Sequence, residues 1–335
     1  MICLGIEGTA HTFGVGIVDD EKILANEKAI YKPEIGKGIV PNEAAIHHEK
    51  IKEEILKNAL EKANVKLKDV DIISYSAGPG LPPTLSVTSR FVHKLSEEYK
   101  KPLIPVNHAV AHLEIGRLTT KIKDPIFVYL SGGNSQIISF IEGRYRILGE
   151  TLDIPIGNCL DVVAREMKLP MPGGREIEKL AKNGKYIKLP YLVKGMDFSF
   201  SGVATYAIKL IKEGYKFEDI AFSLQETCFS MIIEVSERAL AHTNKNEVLL
   251  VGGVASNKRL QEMFDIMCRE RNAVFKVVDE EFAADNGAMI AYCGLLHYKN
   301  SCIPKLKSDI NHKWRIDEVD ICWFTKTLNK EDTLF

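Results

Sequence analysis

The chain has 335 residues, of which 45% are hydrophobic and 27% charged, and its formal net charge is −1. That balance describes a globular protein and excludes disordered and fibrous classes and a dedicated, strongly basic nucleic-acid binder. The length suits two domains, each large enough to bury its own core, and any RNA contact has to come from local basic patches or from partner subunits.

In chain order, Ile2 to Ile6 reads as a short buried strand, Gly8-Thr9 as a turn and Phe13 to Val18 as a returning strand; after Asp19-Asp20, Ile23 to Ala29 is a third. Beyond the loop from Pro33 to Pro41, Glu43 to Ala63 has helical periodicity, with Ile46, Ile51, Ile55, Leu56 and Ala59 on one stripe. A strand (Val70 to Tyr75), the loop SAGPGLPPTLS, a helix (Leu85 to Tyr99), a strand (Leu103 to Val106) and a helix (Ala109 to Arg117) follow. At Pro125 the layout restarts. Ile126 to Leu130 is a strand, Ser131 to Asn134 a glycine-rich turn, Gln136 to Ile141 a returning strand, and Arg144 to Leu152 a third after the turn at Gly143. Helices Tyr206 to Lys212 and Phe217 to His242 precede the strand Val248 to Val251, a glycine-containing loop, a helix to Arg271 and a final helix from Ala283 to Tyr298. Two meander-plus-helix halves predict a duplicated α/β protein with a cleft between the halves.

The seven cysteines are scattered and form no CxxC pair, which argues against a disulfide framework or a zinc ribbon. The N-terminus MICLGIEGTAHTFG lacks the basic flank and apolar run of a signal peptide, and no stretch approaches the roughly 20 apolar residues of a membrane span. A cytoplasmic protein is expected.

Three loops have the composition of phosphate contacts: Gly8-Thr9, Ser131-Gly132-Gly133-Asn134, and Gly252-Gly253 running into Ala255-Ser256-Asn257. Glycine lets backbone N–H groups approach an oxyanion, and a helix start just downstream adds a favourable dipole. None matches a Walker A or GxGxxG pattern, and ordinary tight turns are the alternative reading of each. In Asn107-His108-Ala109-Val110-Ala111-His112 the two histidines stand four apart, about 6 Å along one helix face, so both imidazoles can reach one metal ion. Ala109 follows His108 where a zincin protease carries its general-base glutamate, which counts against peptide hydrolysis. A third ligand has to come from elsewhere: Asp285, in AADNGA, is a candidate whose competing role is to cap the last helix. His47-His48 diverge on their helix, and His11, His93, His242, His297 and His312 are isolated and need no function.

The segments NHAVAH, YLSGGNSQ, IGNCLDVVAREM with PGGREIEKLA, DFSFSG, VGGVASNKRL and ADNGAMIAY, in this order along nearly the whole chain, together resemble the tRNA N6-adenosine threonylcarbamoyltransferases. Members of that family form the catalytic subunit of the KEOPS complex and were once labelled O-sialoglycoprotein endopeptidases. The resemblance implies an α/β, actin-like ATPase (ASKHA) fold of two duplicated ribonuclease-H-like domains around a nucleotide cleft. The first lobe would span residues 1–118, completed by about 298–320; the second, with the adenylate-binding insert, 119–297; and 321–335 would be a tail or linker. By the same resemblance His108, His112, Tyr129 and Asp285 hold one divalent metal per subunit, Fe(II) favoured and Zn(II) possible. Tyr129, Leu130, Ser131, Gly132, Gly133, Asp161, Gly174, Glu178 and Asn257 would contact an adenylate or ATP-type nucleotide. The reaction implied is transfer of a threonylcarbamoyl group from its adenylate to N6 of the adenosine 3′ of a tRNA anticodon, with release of AMP. Implied partners are tRNA and the KEOPS subunits: a small kinase-like ATPase (in some members fused at the C-terminus), a dimerising subunit and a kinase-binding subunit, with no membrane. A small-molecule kinase or ATPase of the same fold and a metalloprotease are the alternative functions. The runs Arg165, Lys168, Arg175, Lys179, Lys182, Lys185, Lys188 and Lys305, Lys307, Lys313, Arg315 are candidate RNA contacts or plain solvated faces.

Overall fold

Two five-stranded mixed sheets with the same strand order organise the chain. The computed structural model describes residues 1–20, 22–33 and 38–324. The first sheet runs β3 (Ile23–Ile30), β2 (Thr12–Val18), β1 (Cys3–Glu7), β4 (Ile72–Gly78), β5 (Leu103–Asn107). The second runs β8 (Arg144–Glu150), β7 (Ser135–Ile141), β6 (Ile126–Leu130), β11 (Glu247–Val251), β12 (Val274–Val277). In both, the first three strands are an antiparallel meander, and the last two add in parallel to the meander's first strand. The duplication read from the layout is therefore one of topology. CLGIE and IFVYL, the paired central strands, are buried at every position, as strands covered on both faces must be.

The first sheet carries α1 (Pro41–Ala63) and α2 (Pro82–Tyr99), and β5 runs straight into α3 (His108–Thr120). The second half adds an insert made of α4 (Ile156–Glu166), α5 (Gly173–Ala181), a small hairpin of β9 (Val193–Lys194) and β10 (Asp197–Phe198), and α6 (Ser201–Lys212). The long helix α7 (Phe217–Thr243) leads to β11, and α8 (Lys258–Glu270) connects β11 to β12.

The single helix read from Ala283 to Tyr298 is two, α9 (Glu280–Ala283) and α10 (Gly287–Lys299), with Ala284, Asp285 and Asn286 between them. The break has a local cause: Asn286, extended at φ −160°, caps α10 by accepting from Met289 N, and its own amide donates to Phe282 O and Ala284 O. α10 then lies on the first sheet, not the second, so the division drawn at residue 297 is not where the packing divides. Small residues make that contact close: a Cβ on Gly5 would stand 2.1 Å from Ala291 N, and one on Gly16 2.1 Å from Ala288 N.

The C-terminal segment corrects a second expectation. Residues 317–324 are packed rather than a free linker, and the remainder of the proposed tail, 325–335, lies outside the described residues. Ile321 N donates to Gly143 O, Trp323 Nε1 to Glu114, and the Phe324 ring stacks on Phe140 at 3.9 Å. Trp323 also covers the buried His297, ring edge to face at 4.8 Å.

His297 sets a pH dependence. Its Nδ1 donates to Cys302 O, its Nε2 is buried without a hydrogen-bond partner, and burial drives the imidazolium down from 6.5 to about 4. Between those values the unfolded chain takes up a proton that the folded chain refuses. Stability therefore falls as pH drops from about 6.5, by about 3 kcal/mol once pH is below 4. His48, also pushed down to about 4 by burial, acts in the same direction. Denaturant titrations at pH 7.5 and 5 should show the wild type losing more stability than His297→Gln; equal losses refute the assignment.

Candidate metal centre and nucleotide cavity

His108 and His112 occupy the first turns of α3, whose start is fixed by Asn107: its side chain accepts from Ala109 N and Val110 N. One turn of helix puts both imidazoles on one face, with ring centroids 4.7 Å apart. Asp285, released from capping by Asn286, turns its carboxylate to the pair, with Oδ1 3.2 Å from His112 Nε2 and 3.5 Å from His108 Nε2. These three side chains each offer one ligand atom, all within 4.8 Å of one another. Two imidazoles and a carboxylate suit a first-row divalent ion; His112 turns Nε2 to Asp285, and its other ring nitrogen, Nδ1, is buried without a partner.

Glu7 completes the arrangement and was not singled out in the sequence. It ends the otherwise apolar β1, is fully buried, and its Oε2 lies 3.0 Å from His108 Nδ1. Its other oxygen accepts from Thr9 N and Thr9 Oγ1. A carboxylate on Nδ1–H fixes the ring so that Nε2 faces Asp285, the nitrogen that a neutral imidazole would offer to an ion. The signal was there: a lone acid closing a buried strand needs a partner. Burial lowers the His108 imidazolium, but Glu7 and Asp285 outweigh it and raise the group to about 9. Burial also lowers His112, and there it prevails. Burial raises the Asp285 carboxyl, yet its hydrogen bond to His112 and the nearby histidine charges hold it well below the usual carboxylate range.

Tyr129, at the end of β6, stands with its ring 5.2 Å from that of His112, and its hydroxyl receives a hydrogen bond from Asn134 Nδ2. Burial, then the Asp285 charge, keeps its phenol protonated.

The centre opens into a cavity of about 640 Å³ between the halves, with His108 and Asp285 in its wall. Ser131, Gly132, Gly133, Asp161, Gly174, Glu178 and Asn257 line it; Tyr129 and Leu130 stand behind the loop, fully buried in β6. The glycine loops divide. Gly132, Gly133 and Gly253 have open space where a side chain would stand. Gly8 does not: its N–H donates to Ser76 Oγ, Thr9 N donates to Glu7, and a Cβ on Gly8 would meet Thr88 Oγ1 at 2.0 Å. That first loop is a packed turn at the metal centre, not a phosphate cradle. Gly252, at φ +92° with Leu130 O 2.3 Å from an added Cβ, must be glycine.

The polar wall is partly engaged. Asp161 Oδ1 accepts from Gly173 N, and burial raises this carboxyl despite that bond. Glu178 Oε1 accepts from Lys258 N. Asn257 caps α8, accepting from Leu260 N, while its amide donates to Gln225 Oε1, so its capping role is realised and both polar ends are taken. Two histidines set aside as isolated, His11 and His312, also line the cavity.

Two like sheets around a nucleotide-sized cavity define an actin-like, two-lobed α/β protein, here with the His108, His112 and Asp285 cluster at the cleft. Solved structures agree on the fold: full-length HypF in its phosphate- and nucleotide-bound form superposes over 91% of this chain and 47% of its own, with TM-score 0.63 at 12% identity. Component A of the (R)-2-hydroxyglutaryl-CoA dehydratase of Acidaminococcus fermentans gives 0.55 at 14% identity over 88% of this chain and 98% of its own. The chain belongs to the tRNA N6-adenosine threonylcarbamoyltransferase family, whose profile matches residues 22–292. The enzyme of that name from Thermococcus sibiricus is 53% identical over 96% of this chain and 100% of its own. A probable bifunctional tRNA threonylcarbamoyladenosine biosynthesis protein of Thermoplasma volcanium is 51% identical over 96% of this chain, which spans 62% of that relative's length. Among the described residues no helix is long and apolar enough to cross a membrane.

Proposed function

We propose that this chain transfers the threonylcarbamoyl group from threonylcarbamoyl-adenylate to N6 of the adenosine 3′ of a tRNA anticodon, releasing AMP. The observation that carries the reading is the convergence of His108, His112 and Asp285 beside a cavity whose wall includes the open glycines Gly132, Gly133 and Gly253 and the carboxylates Asp161 and Glu178. The cavity is large enough for an adenylate. In this reading Gly132 and Gly133 admit the phosphate, Gly174 lets the backbone approach the sugar, and Asp161 and Glu178 offer their free oxygens to ribose hydroxyls. Tyr129 supplies a fourth, phenolic oxygen to a bound Fe(II) or Zn(II). That ion, when present, contributes Lewis acidity toward the carbamoyl oxygen. No side-chain nucleophile is needed, because the donor is already a mixed anhydride. Ala109 beside His108 is buried and carries no base, so the histidine pair is not equipped as a zincin centre.

The RNA and the assembly belong to the same proposal. No acidic residue occurs from Lys179 to Met196, and Lys182, Lys185, Lys188 and Lys194 are exposed beside Tyr186 and Tyr191, which are 56% and 49% exposed. Arg175 and Glu178 of α5, the helix that leads into this run, line the cavity. Cations interleaved with exposed aromatic rings suit a phosphate backbone with accessible bases. The KEOPS-type partners are a kinase-like ATPase, separate or fused, a dimerising subunit and a kinase-binding subunit. In support, several relatives are named bifunctional in this biosynthesis.

Single-turnover transfer from synthetic threonylcarbamoyl-adenylate to an unmodified tRNA transcript tests the reading. The wild type should form the modified nucleoside and AMP in equal amounts, and His108→Ala should lose more than 100-fold, the scale of a removed transition-state contact. Full transfer by His108→Ala removes the metal role; no transfer by the wild type removes the reading.

A further inference from the structure

The transfer step needs an acceptor for a proton of the adenine amine, and none of the residues assigned above is free to act as one. Asp161 and Glu178 each accept a backbone N–H, Asp285 faces two imidazoles, His108 is held by Glu7, and Tyr129 stays protonated.

We propose that His11, in the turn between β1 and β2, is the catalytic proton acceptor of the transfer. This inference rests on the function proposed above. His11 lines the cavity together with His108, Asp285 and Asp161. Its backbone is pinned, with the carbonyl accepting from Tyr31 N at 2.8 Å, so the imidazole is presented by a fixed main chain. Among the described residues neither ring nitrogen has a hydrogen-bond partner in the protein, and Nδ1 is buried. A polar nitrogen left unpaired at the wall of a cavity is destabilising unless a ligand or water completes it. The turn delivers alternate residues to one place: Glu7 and Thr9 meet His108, and His11 reaches past them into the cavity.

The step balances without another reactant. The amine nitrogen attacks the carbamoyl carbon and the C–N bond forms. The bond from that carbon to the adenylate phosphate oxygen breaks, its electron pair leaving with AMP. One amine proton passes to the free imidazole nitrogen of His11, which later returns it to water. General-base assistance of this kind contributes about 10²–10⁴-fold.

The experiment compares wild type, His11→Ala, His11→Gln and the control His242→Gln, outside the cavity, in single-turnover transfer, alongside equilibrium binding of a non-hydrolysable adenylate analogue. The expected result is a loss of at least 100-fold for both His11 variants with analogue binding within threefold of wild type. Imidazole added at high concentration should restore at least tenfold to His11→Ala, and His242→Gln should transfer at the wild-type rate. Wild-type rates in the His11 variants, loss of analogue binding in both, a rate loss in His11→Ala that imidazole does not restore, or an equal loss in His242→Gln each overturn the role of His11. If the wild type itself fails to transfer, the proposed function falls and this inference with it.

Discussion

Glu7→Gln is expected to weaken divalent-metal binding 10–100-fold, and Asp285→Ala to reduce it to the level of nonspecific sites. The two changes act at different distances from the ion. Asp285 offers one of three candidate ligand atoms within 4.8 Å of one another, and without it two imidazoles would leave an ion under-coordinated. Glu7 supplies none, but its Oε2 lies 3.0 Å from His108 Nδ1 in a fully buried setting. A neutral amide can still accept the N–H, yet it no longer favours the imidazole that serves as ligand, and losses of this size are usual for such supporting carboxylates. Competition titration against a chelator at fixed pH measures both. Equal affinities for wild type and Glu7→Gln would separate the carboxylate from the metal centre. Loss of folding is monitored by circular dichroism on the same samples.

Glu114→Ala is expected to destabilise the protein by about 3–5 kcal/mol, the usual result of leaving one member of a buried ion pair behind. Glu114 lies on α3 two residues past His112 and is 1% exposed. It pairs with Arg117 at 3.0 Å and accepts from Tyr145 Oη and Trp323 Nε1. Arg117 in turn lies 3.9 Å over the Phe324 ring. One carboxylate thus joins the histidine helix, the second sheet and the C-terminal segment. Removing it strands a guanidinium under an aromatic lid. Denaturant unfolding followed by tryptophan fluorescence measures the loss. Replacing both partners, Glu114→Met with Arg117→Met, should recover only part of it, since the stranded guanidinium is gone while the Tyr145 and Trp323 donors stay unpaired. A single change costing less than about 1 kcal/mol would show that Arg117 finds another partner.

Much of the fold was legible because its signals are local. Central strands such as CLGIE and IFVYL are short apolar runs bounded by turns, and the repeated meander shows in their order. The histidine pair was legible because helical spacing alone places four-apart residues together. Asp285 was ambiguous for the opposite reason: whether an aspartate or the asparagine after it caps a helix is decided by a few degrees of backbone, and Asn286 takes the cap. Glu7 was passed over, Thr9 was read as part of a phosphate loop and His11 was set aside as isolated, because what they face lies about 100 or more positions away.

The amino-acid order by itself thus determined the two halves, their strands and the face that carries both imidazoles, since periodicity and turn chemistry act over a few residues. Only the tertiary structure decided that α10 returns to the first sheet, that Trp323 and Phe324 pack against α3, and that Gly8 is a packed turn while Gly132 and Gly133 face the cavity. These outcomes depend on which surfaces meet once the sheets have formed, and burial against a distant partner is a property that no stretch of neighbouring residues contains.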